Sequence, residues 1–398
     1  MCTLIGKATG KSLRLPAKEN RCLGCVNIRE TKTRVSDIHK YGGWRNFGRI
    51  PWESCKRCSP PFTFTIEQLI LLMSCEKIGD SFKSTVSEPC DYNHALLVGE
   101  KIWVFGKKFV SQPTFNWGHN VAFAGTYGVA FNTTTNKWEE PHTFSPLSNE
   151  ENLSEAMFVF NGAVHMLLFT AFGKLSMVSL HEWTGSSFKP VELQSFAAIP
   201  TSDSSSRVTL VVADGADDKT KYLISTVDHQ MRVARLTSSG SGATVEHLFD
   251  IPPEQGIGLS QATSGVVAGK RLLVCFGTHG CGFRWENGRI IACDLENKTC
   301  ETLDINTDSA PHWGFNGAIG YGFMPSGSWV HACGSVPQGM TGSRYDGSIW
   351  ELNNLDSTPS WKQLSSGFSS DMEGEVVVDT KHGVVYSVGK TQIGKAKI

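Results

Sequence analysis

Two cysteine pairs stand at metal-ligand spacing near the start of the chain, Cys22-Leu-Gly-Cys25 and Cys55-Lys-Arg-Cys58. In each pair both thiolates can face one ion, and four thiolates complete tetrahedral Zn2+ with no position left for a substrate. The spacing predicts a structural zinc held by Cys22, Cys25, Cys55 and Cys58. Cys2, His39, Cys75 and His94 are substitutes for one ligand. A small basic segment with few aliphatic residues needs such a staple to fold.

Between the pairs, Arg29, Lys32, Arg34, Lys40, Arg45 and Arg49 alternate with His39, Tyr41, Trp44, Phe47 and Trp52. Cations neutralise phosphates and rings stack on bases. This pattern predicts a surface for nucleic acid or an acidic protein, carried by Arg29, Lys32, Arg34, Lys40, Trp44, Arg45 and Arg49. A solvated basic face around a small aromatic core is the competing reading. Residues 1–60 hold 13 Lys/Arg against 4 Asp/Glu, so with a net charge of −1 overall the remainder stands at about −10.

A second set of chemistry-bearing residues falls in loops: Trp117 and His119, Arg284 and Trp285, His312 and Trp313, Arg344 and Tyr345. Aromatic rings with Arg and His on exposed loops are the material of interface hot spots, and they predict a protein-binding face. No catalytic constellation stands out. Cys281, Cys293 and Cys300 read as small residues on neighbouring strands rather than as a disulfide or metal set.

The N-terminus offers no apolar run long enough for a secretory signal. Twelve cysteines in a chain of 398 residues then read as reduced or metal-bound, and the expected compartment is cytoplasmic or nuclear. On that reading the sequons at Asn132, Asn152 and Asn297 are chance matches in turns.

What must position these residues is a repeat. Six times a polar turn leads into an apolar residue and a polar strand, at Phe82, Trp138, Phe188, Val245, Cys300 and Trp361. Each unit also holds two apolar strands separated by a Gly or Asn turn, such as 94–99 and 102–106. Four short strands per unit, with 40 glycines and 16 prolines, form the pattern of a β-propeller blade. Five units are complete, and the sixth lacks an outer strand, for which Ser81–Val86 is the candidate. Ahead of it, Thr65-Ile-Glu-Gln68 has the form of a capping box, and Gly79 is placed to end a helix.

The Gly-bounded second strand (99–106) and the aromatic after a turn (Asn136-Lys137-Trp138) resemble the kelch-repeat family, although the family's glycine doublet is absent. The expectation is all-β: a six-bladed kelch-like propeller over 80–398 closed by an N-terminal strand. A zinc-binding module (1–62) and one connecting helix (63–79) precede it. Function is expected to be that of an adaptor, with a protein partner on the propeller loops and a second macromolecule on the basic module. The resemblance also implies an alternative, a substrate receptor of a ubiquitin ligase. A propeller glycan hydrolase is the remaining alternative.

Overall fold

A computed structural model describes residues 2–5, 12–15, 75–80, 90–109, 123–145, 153–200, 208–215, 217–227, 230–252, 260–278, 289–303, 305, 311, 318–338, 342–355, 357–389 and 391–398. Cys2–Ile5 (β1) and Ser12–Leu15 (β2) form an antiparallel pair. Cys75–Asp80 (β3) precedes the repeats.

The first group is Cys90–Val98 (β4), Lys101–Phe109 (β5), Phe123–Asn132 (β6) and Lys137–Trp138 (β7), with His142–Phe144 (β8) also on β6. The second is Leu153–Phe160 (β9), Ala163–Thr170 (β10), Met177–Trp183 and Phe188–Ser195. Lys174–Leu175 (β11) precedes Met177–Trp183 (β12), and Ile199–Pro200 (β14) follows Phe188–Ser195 (β13). The third is Thr209–Asp214 (β15), Thr220–Val227 (β16), Gln230–Ser239 (β17) and Gly242–Ile251 (β18). The fourth is Ser260–Ala268 (β19), Arg271–Thr278 (β20), Arg289–Asp294 (β21) and Cys300–Thr302 (β22). The fifth is Ala318–Phe323 (β23), Trp329–Gln338 (β24), Gly342–Asn353 (β25) and Ser360–Ser365 (β26). Gly374–Asp379 (β27), Val384–Gly389 (β28) and Gln392–Lys397 (β29) end the chain.

Within each group the neighbours pair antiparallel in chain order. The architecture is all-β and of β-propeller type. The described helical structure is one short turn, Ser370–Met372.

The core lies between groups rather than within one. Phe105 and Leu168, from the first and second groups, share a cluster with Trp183 and Phe188. Leu180 and Leu223 join the second and third groups, Val233 and Leu272 the third and fourth, and Leu273 and Trp329 the fourth and fifth. Val330 and Val385 belong to one cluster of the fifth and last groups, and Val104 and Val388 to one of the first and last. Alternation along each strand sends successive side chains to opposite neighbours, which is why both faces are apolar.

The recurring apolar residues seat the outer strands. Phe188 packs on Phe105, their ring centroids 5.6 Å apart. Val245 joins the cluster of the second group, Cys300 that of the third and Trp361 that of the fourth. Trp138 packs against the last group. Two of these turns have one chemistry. The Oδ1 of Asn132 accepts from the N–H groups of Thr134 and Thr135, and that of Asp294 from Glu296 and Asn297. Four residues on, Asn136 and Lys298 sit at φ of 56° and 57°, and two further come Trp138 and Cys300. The side-chain oxygen satisfies the N–H groups that the turn turns away from the ladder.

Two close approaches require glycine. A Cβ on Gly242 would lie 2.8 Å from the Glu192 carbonyl oxygen, where β13 and β18 pair in parallel. One on Gly320 would lie 2.5 Å from a Val376 methyl, where β23 meets β27.

The segment ahead of the repeats differs from expectation. Residues 75–79 of the expected helix are strand, and β3 pairs antiparallel with β29, Cys75 opposite Ala396 and Asp80 opposite Gln392. The free edge of β29 supplies hydrogen-bond partners that a local capping box cannot match. Gly79 is not a helix terminator; it makes room for the Phe131 ring, which a Cβ would meet at 2.9 Å. Ser81–Val86, the expected closing strand, and residues 63–74 lie outside the described residues.

Candidate binding face

Every group has two ends. In the first, Val98 and Lys101 face each other at one end, while Cys90 opposes Lys108 and Phe109 opposes Phe123 at the other. The inner strand thus begins where the second and third strands are joined. The same holds in the third, fourth and fifth groups, with Thr209 opposite Thr226, Ser260 opposite Thr278, and Gln338 opposite Gly342. Parallel pairing of β15 with β19 and of β13 with β18 keeps neighbouring groups in one direction. The connections 110–122, 279–288 and 339–341 are therefore anchored at corresponding ends of their groups, as is Ala318, which follows 312–317. Long connections on a rigid β scaffold are where binding groups concentrate.

The loop residues expected to bind divide accordingly. Trp117, His119, Arg284, Trp285, His312 and Trp313 lie outside the described residues. Arg344 is placed by its backbone in β25, opposite Val336, and Tyr345 opposite Ser335. The Tyr345 hydroxyl points inward, donating to Cys333 Sγ at 3.2 Å. Burial, with the Cys333 sulfur beside it, pushes this phenol's pKa far up. Its ring is partly buried against the cluster of the fifth and last groups.

The same region holds two free thiols, Cys333 buried and Cys75 half-buried. Cys333 sits at φ 57° in a bulge between Ala332 and Gly334, and burial pushes its pKa up to about 12. Cys75 lies 3.8 Å from the Ser365 hydroxyl, and burial raises it to about 11. Both stay protonated at neutral pH and are poor nucleophiles and poor metal ligands.

Two further polar sets went unnoticed in the sequence. His94 on β4 places Nε2 3.6 Å from Glu155 Oε1 on β9, joining the first two groups near the start of their inner strands. Arg232, only 9% exposed, donates from Nη2 to Gln230 Oε1 at 3.0 Å and lies 3.6 Å from Asp250 Oδ1 through Nε. Its Nη1 has no hydrogen-bond partner among the described residues. The partners of both come from other strands or from turn-flanking positions, so no local motif announces them.

Among the described residues no group of three or more His, Cys, Asp or Glu could hold a metal ion. Cys22, Cys25, Cys55 and Cys58, with Arg29, Lys32, Arg34, Lys40, Trp44, Arg45 and Arg49, lie outside the described residues. Of the substitute ligands, His94 lies beside Glu155 and Cys75 beside Ser365.

One cysteine expectation is corrected. Cys293 and Cys300 are joined by a disulfide across β21 and β22. Their registration directly opposite one another brings the two Sγ atoms together, which the sequence separation of 7 does not reveal.

No protein-family model matches the chain, and no curated protein sequence does. Solved structures that resemble it include TolB from Acinetobacter baumannii, at 14% identity and a TM-score of 0.36, over 69% of this chain and 57% of that one. The allergen Mala s 1 of Malassezia sympodialis is similar at 12% identity and a TM-score of 0.41, over 76% and 91%. The β-propeller domain of the trilobed protease from Pyrococcus furiosus is similar at 10% identity and a TM-score of 0.36, over 75% and 77%. This chain spans little more than half the length of TolB.

Proposed function

We propose that the chain is a six-bladed propeller, closed by β3, whose loop-bearing face binds a protein partner. The closed count rests on cyclic adjacency. The inner strands touch in the order β4, β9, β15, β19, β23, β27 and back to β4. Closure by β3 covers the last sheet's edge and leaves the ends of the groups to carry function.

The observation that carries the binding role is the anchoring of the three connections at corresponding strand ends. Trp117, His119, Arg284 and Trp285 belong to the two longest of them. Rigid blades hold such loops at fixed separations, which lowers the ordering cost of binding. Glu155 faces a histidine rather than a second carboxylate, so this pair lacks the arrangement that glycoside hydrolysis uses.

The test is cross-linking capture from the protein's natural source, with the full chain and with a variant whose 110–122 and 279–288 connections are replaced by Gly/Ser linkers. Loss of one specific partner, with the thermal transition unchanged, is the expected result. Equal capture by both chains would overturn the loop-face role. If the captured partner is a cullin-type scaffold, the function is that of a ubiquitin-ligase receptor.

A further inference from the structure

We propose that Asn297 is an N-glycan acceptor, on a chain that acquires its fold in an oxidising compartment. Two independent observations meet in one hairpin. The first is the Cys293–Cys300 disulfide, which joins the two strands of that hairpin. Such bonds form and persist where the redox poise is oxidising, and thiols are kept reduced in the cytosol and nucleus. The second is the placement of the sequon Asn297-Lys298-Thr299 at the tip between the two sulfurs. Asn297, Lys298 and Thr299 are all exposed.

The local geometry accommodates a sugar. Asn297 Nδ2 donates to Asp294 Oδ2 at 3.1 Å. An amide nitrogen that carries a glycan keeps one N–H, so this bond can persist. The carbonyl of Thr299 accepts from the Asp294 N–H at 2.8 Å, which fixes the third residue of the sequon in the hairpin. The turn itself is set by Asp294 and by Lys298 at φ 57°, not by the asparagine side chain.

A second sequon sits in the equivalent turn of the first group. Asn132 holds Thr134 and Thr135 through Oδ1, which a glycosylated amide retains, and Thr134 is exposed. Both turns lie against the hairpins of their own inner strands: Thr133 N donates to the Glu100 carbonyl, and Leu295 N to that of Lys270. Glycans there stand at the end opposite the loop connections and leave the proposed binding face open. Asn152, the third sequon, lies outside the described residues.

The chemistry balances with two co-reactants. The asparagine amide nitrogen attacks the anomeric carbon of a lipid-pyrophosphate-linked oligosaccharide. An N–C bond forms, the C–O bond to pyrophosphate breaks, the lipid pyrophosphate leaves and the amide proton passes to a base. The two thiols give two protons and two electrons to a protein disulfide oxidant, which becomes a dithiol. This compartment replaces the cytoplasmic or nuclear expectation.

The test uses the full chain isolated from its natural source. It is treated with peptide N-glycosidase and digested without reduction. The expected result is aspartate at position 297 and a cleavage after Lys298 whose two products separate only on reduction. In secreted material from eukaryotic cells, Thr299→Ala should lose one glycan while Thr299→Ser keeps it, because serine retains the hydroxyl the transfer requires. An unmodified Asn297 in the native chain, or free thiols at Cys293 and Cys300, overturns the proposal. Equal glycosylation of the Ala and Ser variants overturns Asn297 as the acceptor.

Discussion

His331 shows how burial decides a residue's chemistry. Its ring lies 4.3 Å from that of Trp329 and 5.0 Å from that of Trp361, centroid to centroid. Burial lowers its pKa from 6.5 to about 3. His165 and His181 are shifted the same way, chiefly by burial. The sign follows from proton counting. Between pH 6.5 and 3 the unfolded histidine takes up a proton that the folded one refuses, so stability is complete above pH 6.5 and falls as pH drops. Each unit is worth about 1.4 kcal/mol. The His331→Phe variant keeps an aromatic ring against the two tryptophans and cannot titrate. Between pH 7 and pH 5 the wild type should lose about 2 kcal/mol more stability than this variant. Denaturant midpoints at the two pH values measure the difference. Parallel losses would mean that His331 titrates normally in the folded protein.

At the scale of elements, the strand that matters most is β3, and sequence reading placed a helix there. The outer strands at Trp138, Phe188, Val245, Cys300 and Trp361 were legible because turn and strand are local and each apolar residue must reach the next sheet. The partner of β29 was not legible, because its register joins residues more than 300 positions apart. Local likeness pointed to Ser81–Val86 instead. Trp138 reinforces the observed pairing, since its Nε1–H donates to the Asp80 carbonyl at 2.9 Å. A chain beginning at Cys75 should therefore unfold like the full chain. One beginning at Ser81 leaves the β29 edge bare and should be less stable and prone to associate through it. Sedimentation and thermal melting of the two truncations separate these outcomes. Identical behaviour would show that β3 contributes nothing to closure.

For the whole molecule, the question is whether the strand groups behave as one body or as a row. The periodicity that revealed the units is silent on this, because a closed ring and an open stack of repeats share the same local pattern. The Cys293–Cys300 bond and the His94–Glu155 pair were hidden for a related reason: cross-strand register and neighbouring-blade contacts are set by the assembled architecture. In an open array each unit answers to its neighbours alone, and transitions can separate. In a closed ring every interface supports the same native state. Phe188 lies between the first two groups and Trp361 between the fourth and fifth, each 8% exposed. Replacing either with alanine should cost about 3–5 kcal/mol through lost burial and a residual cavity. The ring predicts one transition in each single variant and additive losses in the double variant, because the sites share no partners. Calorimetry and fluorescence should then report coincident unfolding in all four proteins. A double variant that melts in two steps, one near the wild-type temperature, would show that the sheets are a row.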